Sequence, residues 1–372
     1  MKKVIILGAT GSIGTTCLYS IKEKNLPLEV VAISANTNVR KLETYGDQFN
    51  VRNLFIATNQ PHCDCFNYYN SLDELLDTVK CDIVLNGIAG FKGLEASVKV
   101  LERGIDLALA NKESVVAGGS FIFEIAKKTG SSINPVDSEH SAIKALLDAH
   151  KKENVKSLII TASGGPFRTL EKSAFKNITV ESALNHPTWK MGKKITIDSS
   201  TLANKALEVI EASYLFNFSE KNIEVVVHPQ SIIHSMIRMN DGAIYSQMGT
   251  PNMSLPIIEG LLGVYNETNL VNPLSFDNLS LTFEKPDYDR FPLLKIAFDI
   301  LKKGGSYPVA FNASNEVAVD AFLNKKISYL QLQDCVLSVM QNDFMNNCTS
   351  LNQTIEEDIR ARALAKAYIN SL

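Results

Sequence analysis

The chain has 372 residues, of which 45% are apolar and 21% charged, as expected of a folded globular protein. At this length two or three domains are expected, because one hydrophobic core rarely extends so far. The 37 basic and 40 acidic side chains leave a net charge of −3, which argues against a nucleic-acid-binding protein. No apolar run approaches the roughly 18 residues that cross a bilayer.

Short apolar runs alternate with amphipathic segments in the first third of the chain. Strands are predicted at Val4–Leu7, Val30–Ser34, Leu54–Ala57, Ile83–Asn86 and Leu107–Ala110. Helices are predicted at Thr15–Lys24, Val39–Phe49, Leu72–Val79, Leu94–Arg103 and Ser120–Lys128. This alternation predicts a parallel sheet with helices on both faces. The first apolar run is too short for a signal peptide, so no targeting segment is expected.

A glycine-rich turn joins the first predicted strand to the first helix. Gly8, Gly11 and Gly14 would let the backbone turn tightly and approach a pyrophosphate at the helix N-terminus. A turn without a ligand is the alternative, but the strand–turn–helix context favours a nucleotide site. The second strand ends without the acid typical of NAD sites, and Arg40 and Lys41 follow, which favours NADPH.

Polar residues follow another predicted strand at Ala110–Ser114. Ligands bind at the carboxyl ends of strands in open parallel sheets. Asn111 and Glu113 are therefore candidates for contact with the nicotinamide ribose, and Lys112 is a candidate for contact with the substrate. The alternative is that the polar residues cap the start of a helix.

Three carboxylates predict a metal site. Asp137 and Glu139 are two residues apart, and in an extended segment both would point to the same side. Two adjacent acids repel each other unless a cation or a proton lies between them. With Glu208 they form a set without Cys or His, which suits Mg²⁺ or Mn²⁺ rather than zinc. Such an ion would polarise a carbonyl and a hydroxyl of the substrate.

Two loops in the middle of the chain carry further candidates. Ser163 precedes two glycines and could present its hydroxyl and backbone amides to a phosphate, although a plain turn is equally plausible. The loop Asn185–Gly192 contains His186, Met191 and the only tryptophan, Trp189. It is predicted to be a lid in which the histidine contacts substrate and the apolar side chains exclude water. A structural loop anchored by a buried tryptophan is the alternative.

The predicted helix Leu202–Tyr214 carries Asn204, Lys205 and Glu208 on one face. Ser199 is expected at the entrance of this helix, where free backbone donors favour an anion. Ser199, Asn204 and Lys205 together form a candidate phosphate site. An exposed helix face with a Lys–Glu pair is the alternative.

The remaining elements predict an α+β middle region and a helical C-terminal region. Middle strands are predicted at Ser157–Ala162, Ile195–Asp198, Glu224–His228 and Ala243–Met248, with a further helix at Ser141–His150. Residues 266–290 are expected to be a long connection. Later helices are predicted at Leu293–Lys302, Ala310–Leu323, Tyr329–Asn342 and Thr354–Leu372. The six scattered cysteines are expected to be free thiols in a reducing cytoplasm, and Cys63–Cys65 with His62 to be a polar loop rather than a metal fragment.

Several motifs occur in one order: Gly-Ala-Thr-Gly-Ser-Ile-Gly (8–14), Ala-Asn-Lys-Glu (110–113), Pro-Val-Asp-Ser-Glu-His (135–140), Ala-Ser-Gly-Gly-Pro-Phe (162–167), His-Pro-Thr-Trp-x-Met-Gly (186–192) and Asp-Ser-Ser-Thr-Leu-x-Asn-Lys-x-Leu-Glu (198–208). In these motifs the chain resembles the 1-deoxy-D-xylulose 5-phosphate reductoisomerases of the non-mevalonate isoprenoid pathway. The resemblance extends to Val227–Met236, Pro286–Pro292 and Asn312–Val319. It implies an α/β fold with a Rossmann-like NADPH-binding domain (1–136), a central α+β catalytic and dimerisation domain (137–265), a linker (266–291) and a C-terminal helical domain (292–372).

The resemblance also implies residue roles. NADPH would contact Thr10, Gly11, Ser12, Ile13, Asn36, Thr37, Asn38, Asn111, Glu113 and Gly192. Asp137, Glu139 and Glu208 would bind Mg²⁺, Mn²⁺ or Co²⁺. Substrate would contact Lys112, Ser138, Glu139, Ser163, His186, Ser199, Asn204, Lys205 and Glu208, under a lid containing Trp189 and Met191. The catalytic residues would be Lys112, Asp137, Glu139, His186 and Glu208.

The implied activity is that of an NADP-dependent oxidoreductase in two stages. The skeleton of 1-deoxy-D-xylulose 5-phosphate rearranges by retro-aldol and aldol steps, and NADPH then reduces the enzyme-held aldehyde to 2-C-methyl-D-erythritol 4-phosphate. A cytoplasmic homodimer without nucleic-acid or membrane partners is expected. The alternatives are a relative with another substrate, a catalytically silent nucleotide-binding protein, and a homoserine- or aspartate-semialdehyde-type dehydrogenase. The full set of metal carboxylates and phosphate ligands argues against them.

Overall fold

The computed structural model of the protein describes residues 1–58, 63, 65–189, 191–265 and 268–372. The chain divides into two compact units, each made of three segments. The first unit contains Met1–Ser114, Ile122–Ser141 and Asn252–Pro273. The second contains Val115–Phe121, Ala142–Pro251 and Leu274–Leu372. Neither unit is therefore a single continuous stretch of sequence.

A seven-stranded parallel sheet forms the centre of the first unit. Its strands are β1 (Lys2–Leu7), β2 (Leu28–Ala35), β3 (Asn53–Ile56), β4 (Asn67–Tyr69), β5 (Ile83–Asn86), β6 (Asp106–Leu109) and β7 (Ile133–Pro135). They lie in the order β4-β3-β2-β1-β5-β6-β7, and every pairing is parallel. Val4, Ile5 and Ile6 are wholly buried, as a continuous apolar run in a doubly covered parallel sheet should be. The predicted parallel α/β architecture is confirmed.

The strand order reverses at β1, and this reversal determines where the glycine-rich turn lies. β1 pairs with β2 on one side and with β5 on the other, so the loops after β1 and β5 border a crevice. A Cβ on Gly8 would lie 2.8 Å from the carbonyl oxygen of Gly87, which follows β5. A Cβ on Gly14 would lie 2.7 Å from the carbonyl oxygen of Gly8. These glycines are required because the backbones approach too closely for a side chain.

Helices in the first part of the chain follow the strands. They are α1 (Ser12–Glu23), α2 (Val39–Gln48), α3 (Leu72–Thr78), α4 (Lys92–Glu102), α5 (Lys112–Thr129) and α6 (Ser138–Ala149). Side chains cap several of them, since Asn38 accepts from the amide of Lys41 and Ser71 from that of Glu74, each at 3.1 Å. α5 bends at Gly119, which has φ +51 and ψ −140.

The second unit contains a four-stranded mixed sheet. Its strands are β8 (Val155–Ala162), β9 (Ile223–Val227), β10 (Ile233–Met239) and β11 (Ile244–Met248). The order is β11-β10-β8-β9, with β8 and β9 parallel and the other pairs antiparallel. β11 is an edge strand, and it exposes 48% of Ile244 and 45% of Tyr245.

The remaining helices complete both units. They are α7 (Val180–Ala183), α8 (Lys193–Ser200), α9 (Ala203–Phe216), α10 (Ser254–Leu262), α11 (Pro292–Lys303), α12 (Tyr307–Leu323), α13 (Tyr329–Val339) and α14 (Leu351–Asn370). α10 belongs to the first unit, where Ile257 and Ile258 are wholly buried. In the second unit Leu207 and Ile210 of α9 share one apolar core with Phe311 of α12. The predicted helical C-terminal region is confirmed.

The prediction of a strand at Ile195–Asp198 was wrong, because this segment lies within α8. Ile195 and Ile197 alternate with polar residues, but burial is continuous from Thr196 to Ser200. Lys194 and Asp198 also form an ion pair at 2.8 Å with the i,i+4 spacing of a helix. Four residues are too few for alternation to distinguish a strand from a helix end.

Other elements were missed or shortened. The sequence did not predict β4, β7, β10 or α10. β4 and β7 have only three residues each. α5 begins at Lys112, eight residues before the predicted start at Ser120. Within the described residues 268–291, the bridge between Val227 and Glu284 is the only β pairing. The predicted domain boundaries at 136, 265 and 291 stay predictions.

The cysteines agree with the prediction of free thiols, since all six are unbridged. His62 and Asp64, considered as part of a metal fragment, lie outside the described residues. In the part of the chain that the structure describes, no helix combines the length and apolarity needed to span a membrane.

Candidate active site

The glycine-rich turn presents the predicted cofactor residues Thr10–Ile13 at the start of α1. Gly11 is the N-cap of this helix and provides no side chain to bond the first amides, which leaves them available to an anion. The ammonium of Lys41 donates to the carbonyl oxygen of Thr10 at 2.9 Å. The exposed segment Asn36–Asn38 follows β2, and the Asn38 side chain caps α2. Lys41 therefore lies between the turn and the segment predicted to bind adenosine.

Asn111 connects the start of α5 to the loop after β5. Its side-chain oxygen accepts from the amide of Ser114 at 2.8 Å, so it caps the helix, as the alternative interpretation proposed. Its side-chain nitrogen donates to Gly90 O at 2.9 Å and to Glu113 Oε2 at 3.0 Å. Asn111 and Glu113 are both buried. Capping and cofactor contact are compatible, because the cap fixes the helix start at which both residues lie.

Lys112 and Asp137 form a buried ion pair in the first unit. Lys112 Nζ lies 2.6 Å from Asp137 Oδ2, and the two side chains are only 6% and 12% exposed. His140, which is wholly buried, has Nδ1 at 3.5 Å from Asp137 Oδ1. Burial acts to raise the pKa of the Asp137 carboxyl, but the Lys112 ammonium and His140 outweigh it and hold that pKa well below its ordinary value.

Asp137 and Glu139 are not in an extended segment, so that part of the spacing argument was wrong. β7 ends at Pro135, and α6 begins at Ser138. Asp137 precedes the helix, and its Oδ1 accepts from the amide of Glu139 at 3.3 Å. Glu139 is in the first turn, where the helix dipole favours a carboxylate, and its Oε2 accepts from Ser138 Oγ at 2.6 Å. The two acids therefore lie at one helix start.

In the second unit, His186 brings together two serines that are distant in sequence. Its Nε2 lies 3.1 Å from Ser163 Oγ and 3.1 Å from Ser199 Oγ. Its Nδ1 accepts from the amides of Thr188 at 3.1 Å and Trp189 at 2.9 Å. Since Nδ1 is an acceptor, the ring proton of the neutral imidazole is on Nε2, facing the serines. Burial lowers the pKa of His186 below its ordinary value, which favours this neutral form.

The serine–histidine group is a set of donors. Ser163 Oγ accepts from the amide of Gly165 at 3.3 Å, so its own proton remains available to another acceptor. With Ser199 O–H and His186 Nε2–H it forms three donors with no carboxylate among them. Such a group suits an anion with several acceptor oxygens, such as a phosphate.

The predicted lid residues lie around His186 and the start of α8. The loop bends back so that the Trp189 amide donates to the His186 ring, and Trp189 and Met191 are both half-buried. Gly192 is the N-cap of α8, and its carbonyl oxygen accepts from the amide of Thr196 at 3.1 Å. A rearrangement of this loop would change the hydrogen bonds of the histidine as well.

α9 carries the other predicted substrate ligands on one face. Asn204 Nδ2 donates to Glu208 Oε1 at 2.5 Å, and Lys205 Nζ forms an ion pair with Glu208 Oε2. Lys205 and Glu208 are both buried, so the exposed Lys–Glu pair considered as the alternative is excluded. The predicted place of Ser199 was wrong: it lies in the last turn of α8, and Leu202, with φ +57, precedes α9.

Sequence reasoning missed His140 as a neighbour of Asp137. The three-residue spacing would have suggested the contact if the helix start had been predicted, because residues i and i+3 share a helix face. It also missed the partners that hold α8, Asn315 and Tyr329, since these come from helices more than 110 positions away.

Family models match most of the chain. A model described as 1-deoxy-D-xylulose 5-phosphate reductoisomerase matches residues 4–119. Two models of the C-terminal domain of that enzyme match residues 133–216 and 248–364. Together these matches include parts of both units of the structure.

Relatives and solved structures are similar over the whole length. A 1-deoxy-D-xylulose 5-phosphate reductoisomerase of Treponema denticola is 45% identical over 99% of this chain and 97% of its own, and one of Clostridium kluyveri is 42% identical over 99% and 98%. The Zymomonas mobilis reductoisomerase in complex with NADPH has a TM-score of 0.91 at 37% identity, covering both chains fully. A DOX-P reductoisomerase with NADPH, fosmidomycin and magnesium has a TM-score of 0.89 at 32% identity, covering 100% and 98%. The chain therefore belongs to the 1-deoxy-D-xylulose 5-phosphate reductoisomerase family.

Proposed function

We propose that this chain catalyses the NADPH- and divalent-metal-dependent rearrangement and reduction of 1-deoxy-D-xylulose 5-phosphate to 2-C-methyl-D-erythritol 4-phosphate, using the residues described above. When bound, the metal supplies a Lewis acid for the ketone and a neighbouring hydroxyl of the substrate, and NADPH supplies the hydride. The chain itself binds and orients the reactants, holds the substrate phosphate and excludes water. The reaction is that of the family, and the assignment of individual residues is the proposal.

Asp137, Glu139 and Glu208 are the proposed metal ligands. All are oxygen donors, as Mg²⁺ and Mn²⁺ prefer, and none is a thiolate or an imidazole. Asp137 and Glu208 each have a lysine partner, Lys112 and Lys205 respectively, and Lys112 helps to hold the pKa of the Asp137 carboxyl well below its ordinary value. This donor chemistry fits a hard divalent cation. Related structures contain magnesium, which supports the choice of ion.

NADPH is proposed to bind at the glycine-rich turn. Gly8 and Gly14 lie so close to neighbouring backbone that neither position has room for a side chain. The turn therefore presents backbone amides to the crevice, and backbone amides can bind a pyrophosphate. We assign Thr10, Gly11, Ser12 and Ile13 to the pyrophosphate, Asn36, Thr37 and Asn38 to the adenosine end, and Asn111, Glu113 and Gly192 to the rest of the cofactor. Lys41 and Arg40 supply the positive charge expected for a 2′-phosphate.

The substrate phosphate is proposed to bind to His186, Ser163, Ser199, Asn204 and Lys205. The three convergent donors of the serine–histidine group are the observation that carries this assignment. Lys112, Ser138, Glu139 and Glu208 are assigned to the carbon skeleton. Trp189 and Met191 are proposed to close over the bound substrate, so that the hydride meets no competing water.

We also propose a homodimer in the cytoplasm. The edge strand β11 exposes Ile244 and Tyr245, and an unpaired apolar edge is usually covered in a functional assembly. Sedimentation should therefore give twice the chain mass of 40.9 kDa. The free thiols support a reducing compartment.

The test is loss of NADPH absorbance on addition of 1-deoxy-D-xylulose 5-phosphate, with Mg²⁺ or Mn²⁺ and then with EDTA. Loss that requires both substrate and metal is expected. Glu208→Gln should reduce turnover about 100-fold or more while NADPH binding persists, because a buried metal ligand is removed and its shape is kept. Glu153→Gln, at an exposed acid, is the matched control. Unchanged turnover in Glu208→Gln would show that the metal assignment is wrong.

A further inference from the structure

The motif Asn312–Val319 has no part in the proposed function, although it is one of the segments that carry the family resemblance. It lies within α12, and Asn315 is wholly buried there. Asn315 Nδ2 donates to Asp198 Oδ1 at 2.8 Å. A buried amide on a buried carboxylate is a specific contact, because each polar group would be costly to bury alone.

Asp198 immediately precedes the proposed phosphate ligand Ser199. The Asp198 side chain is buried, and its second oxygen, Oδ2, lies 2.8 Å from Lys194 Nζ. Asn315 of α12 therefore holds one oxygen of the Asp198 carboxylate, and Lys194, which lies in α8 itself, holds the other. The contact fixes the rotation of α8 about its axis at the residue before Ser199.

Tyr329 holds the residue on the other side of Ser199. Its hydroxyl donates to the carbonyl oxygen of Ser200 at 2.6 Å, and its ring is wholly buried. Ser200 is the last residue of α8, and the last carbonyls of a helix have no partner within it. The hydroxyl of Tyr329 thus supplies the partner that the helix end lacks.

The loop that carries Ser163 packs against the same backbone. Gly165 has φ +68, and a Cβ there would lie 2.6 Å from the carbonyl oxygen of Ser199. The serine loop and the end of α8 therefore meet without any side chain between them. A small displacement of α8 would change the distance between Ser163 and Ser199, and with it the fit of both to His186.

We infer that Asn315 and Tyr329 are positioning residues for the phosphate site, holding Asp198 and Ser200 so that the Ser199 hydroxyl faces His186. The inference rests on the proposed role of Ser199. It makes the C-terminal helices α12 and α13 part of the substrate-binding apparatus, although neither Asn315 nor Tyr329 is among the proposed substrate ligands. Loss of either contact lets the end of α8 move, and phosphate affinity falls.

The first test is Tyr329→Phe, which removes only the hydroxyl, with Asn315→Ala as a second, independent variant. Each is expected to raise KM for 1-deoxy-D-xylulose 5-phosphate and the inhibition constant of inorganic phosphate by about tenfold, with kcat and the KM for NADPH within about twofold of wild type. Tyr307→Phe is the matched control, since it removes the hydroxyl of another buried tyrosine in the C-terminal helices and should leave all four constants unchanged.

A double-mutant cycle with Ser199→Ala separates positioning from general stability. If Asn315 and Tyr329 act through Ser199, adding either substitution to Ser199→Ala should raise KM no further. Additive effects, or a lowered melting temperature with unchanged substrate and phosphate constants, would overturn the inference. If Ser199→Ala itself leaves KM unchanged while wild type is active, the proposed phosphate site fails and the inference fails with it.

Discussion

The ion pair between Lys112 and Asp137 allows a direct test of how burial controls the contribution of an ion pair to the free energy of unfolding. Lys112→Met removes the ammonium and keeps most of the side-chain volume. Nζ lies 2.6 Å from Oδ2 in a pair with 6% and 12% exposure, so Asp137 would be left as a buried charge without this partner. Breaking such a pair from one side costs about 3–5 kcal/mol, and the lower end is expected because His140 remains 3.5 Å from Asp137.

The chain contains a matched control for this substitution. Lys325 Nζ also lies 2.6 Å from a carboxylate oxygen, that of Glu181, but these side chains are 68% and 67% exposed. Lys325→Met should therefore leave the free energy of unfolding nearly unchanged, because solvent screens an exposed pair. The two pairs have the same distance and differ in their exposure to solvent.

Urea unfolding at pH 7 measures both variants, followed in EDTA and then in excess Mg²⁺. In EDTA, Lys112→Met should lower the free energy of unfolding. In excess Mg²⁺ this decrease should be smaller, because a cation bound at Asp137 replaces the missing charge. Lys325→Met should not respond to Mg²⁺. Equal losses in the two variants would refute the reasoning from burial, and a Lys112→Met loss that Mg²⁺ leaves untouched would refute the assignment of Asp137 as a metal ligand.

Two further predictions concern pH and the glycine-rich turn. Burial, with the nearby His228, lowers the pKa of His234 from 6.5 to about 4, so the unfolded chain binds a proton in this range that the folded chain does not. The free energy of unfolding should fall by about 3 kcal/mol as pH drops from 6.5 to 4. In an acid titration, His234→Gln should remove this part of the dependence of the free energy of unfolding on pH. The same pH dependence in the variant and in wild type would contradict the prediction. Gly14→Ala would place a Cβ 2.7 Å from the carbonyl oxygen of Gly8, and NADPH fluorescence should report binding weakened about tenfold or more. Wild-type affinity for NADPH in Gly14→Ala would contradict this prediction, because it would show that the turn can accommodate the added Cβ.

The parts of the fold that could be predicted are those with a local signal. The alternation of apolar runs and amphipathic segments predicted the parallel sheet, and the glycines at 8, 11 and 14 predicted the nucleotide turn. In both cases the signal lies within one strand and the helix next to it in sequence. The face shared by Asn204, Lys205 and Glu208 followed in the same way from helical spacing.

The contacts that complete the site depend on neighbours that the sequence did not reveal. Lys112 meets Asp137 because β6 and β7 are paired and each carries one of these residues just beyond its end. β7 has only three residues and was not predicted, so this pairing could not be expected. The location of Ser199 in α8 was missed for a related reason, since Ile195–Asp198 has the alternation of a strand. Tertiary packing decided both cases.

The discontinuous first unit has a consequence for synthesis of the chain. α10 is part of that unit, and a Cβ on Gly260 would lie 2.8 Å from Val136 Cγ2, so this helix packs directly against the segment that leads to Asp137. A ribosome that has translated only the first 141 residues has not yet made the apolar cover formed by Ile257, Ile258 and Leu261. The nascent nucleotide-binding unit therefore remains incomplete until residue 273 of 372 has emerged. Its apolar surface stays uncovered while residues 142–273 are synthesised, and this is the interval in which a chaperone that holds nascent chains would act on it.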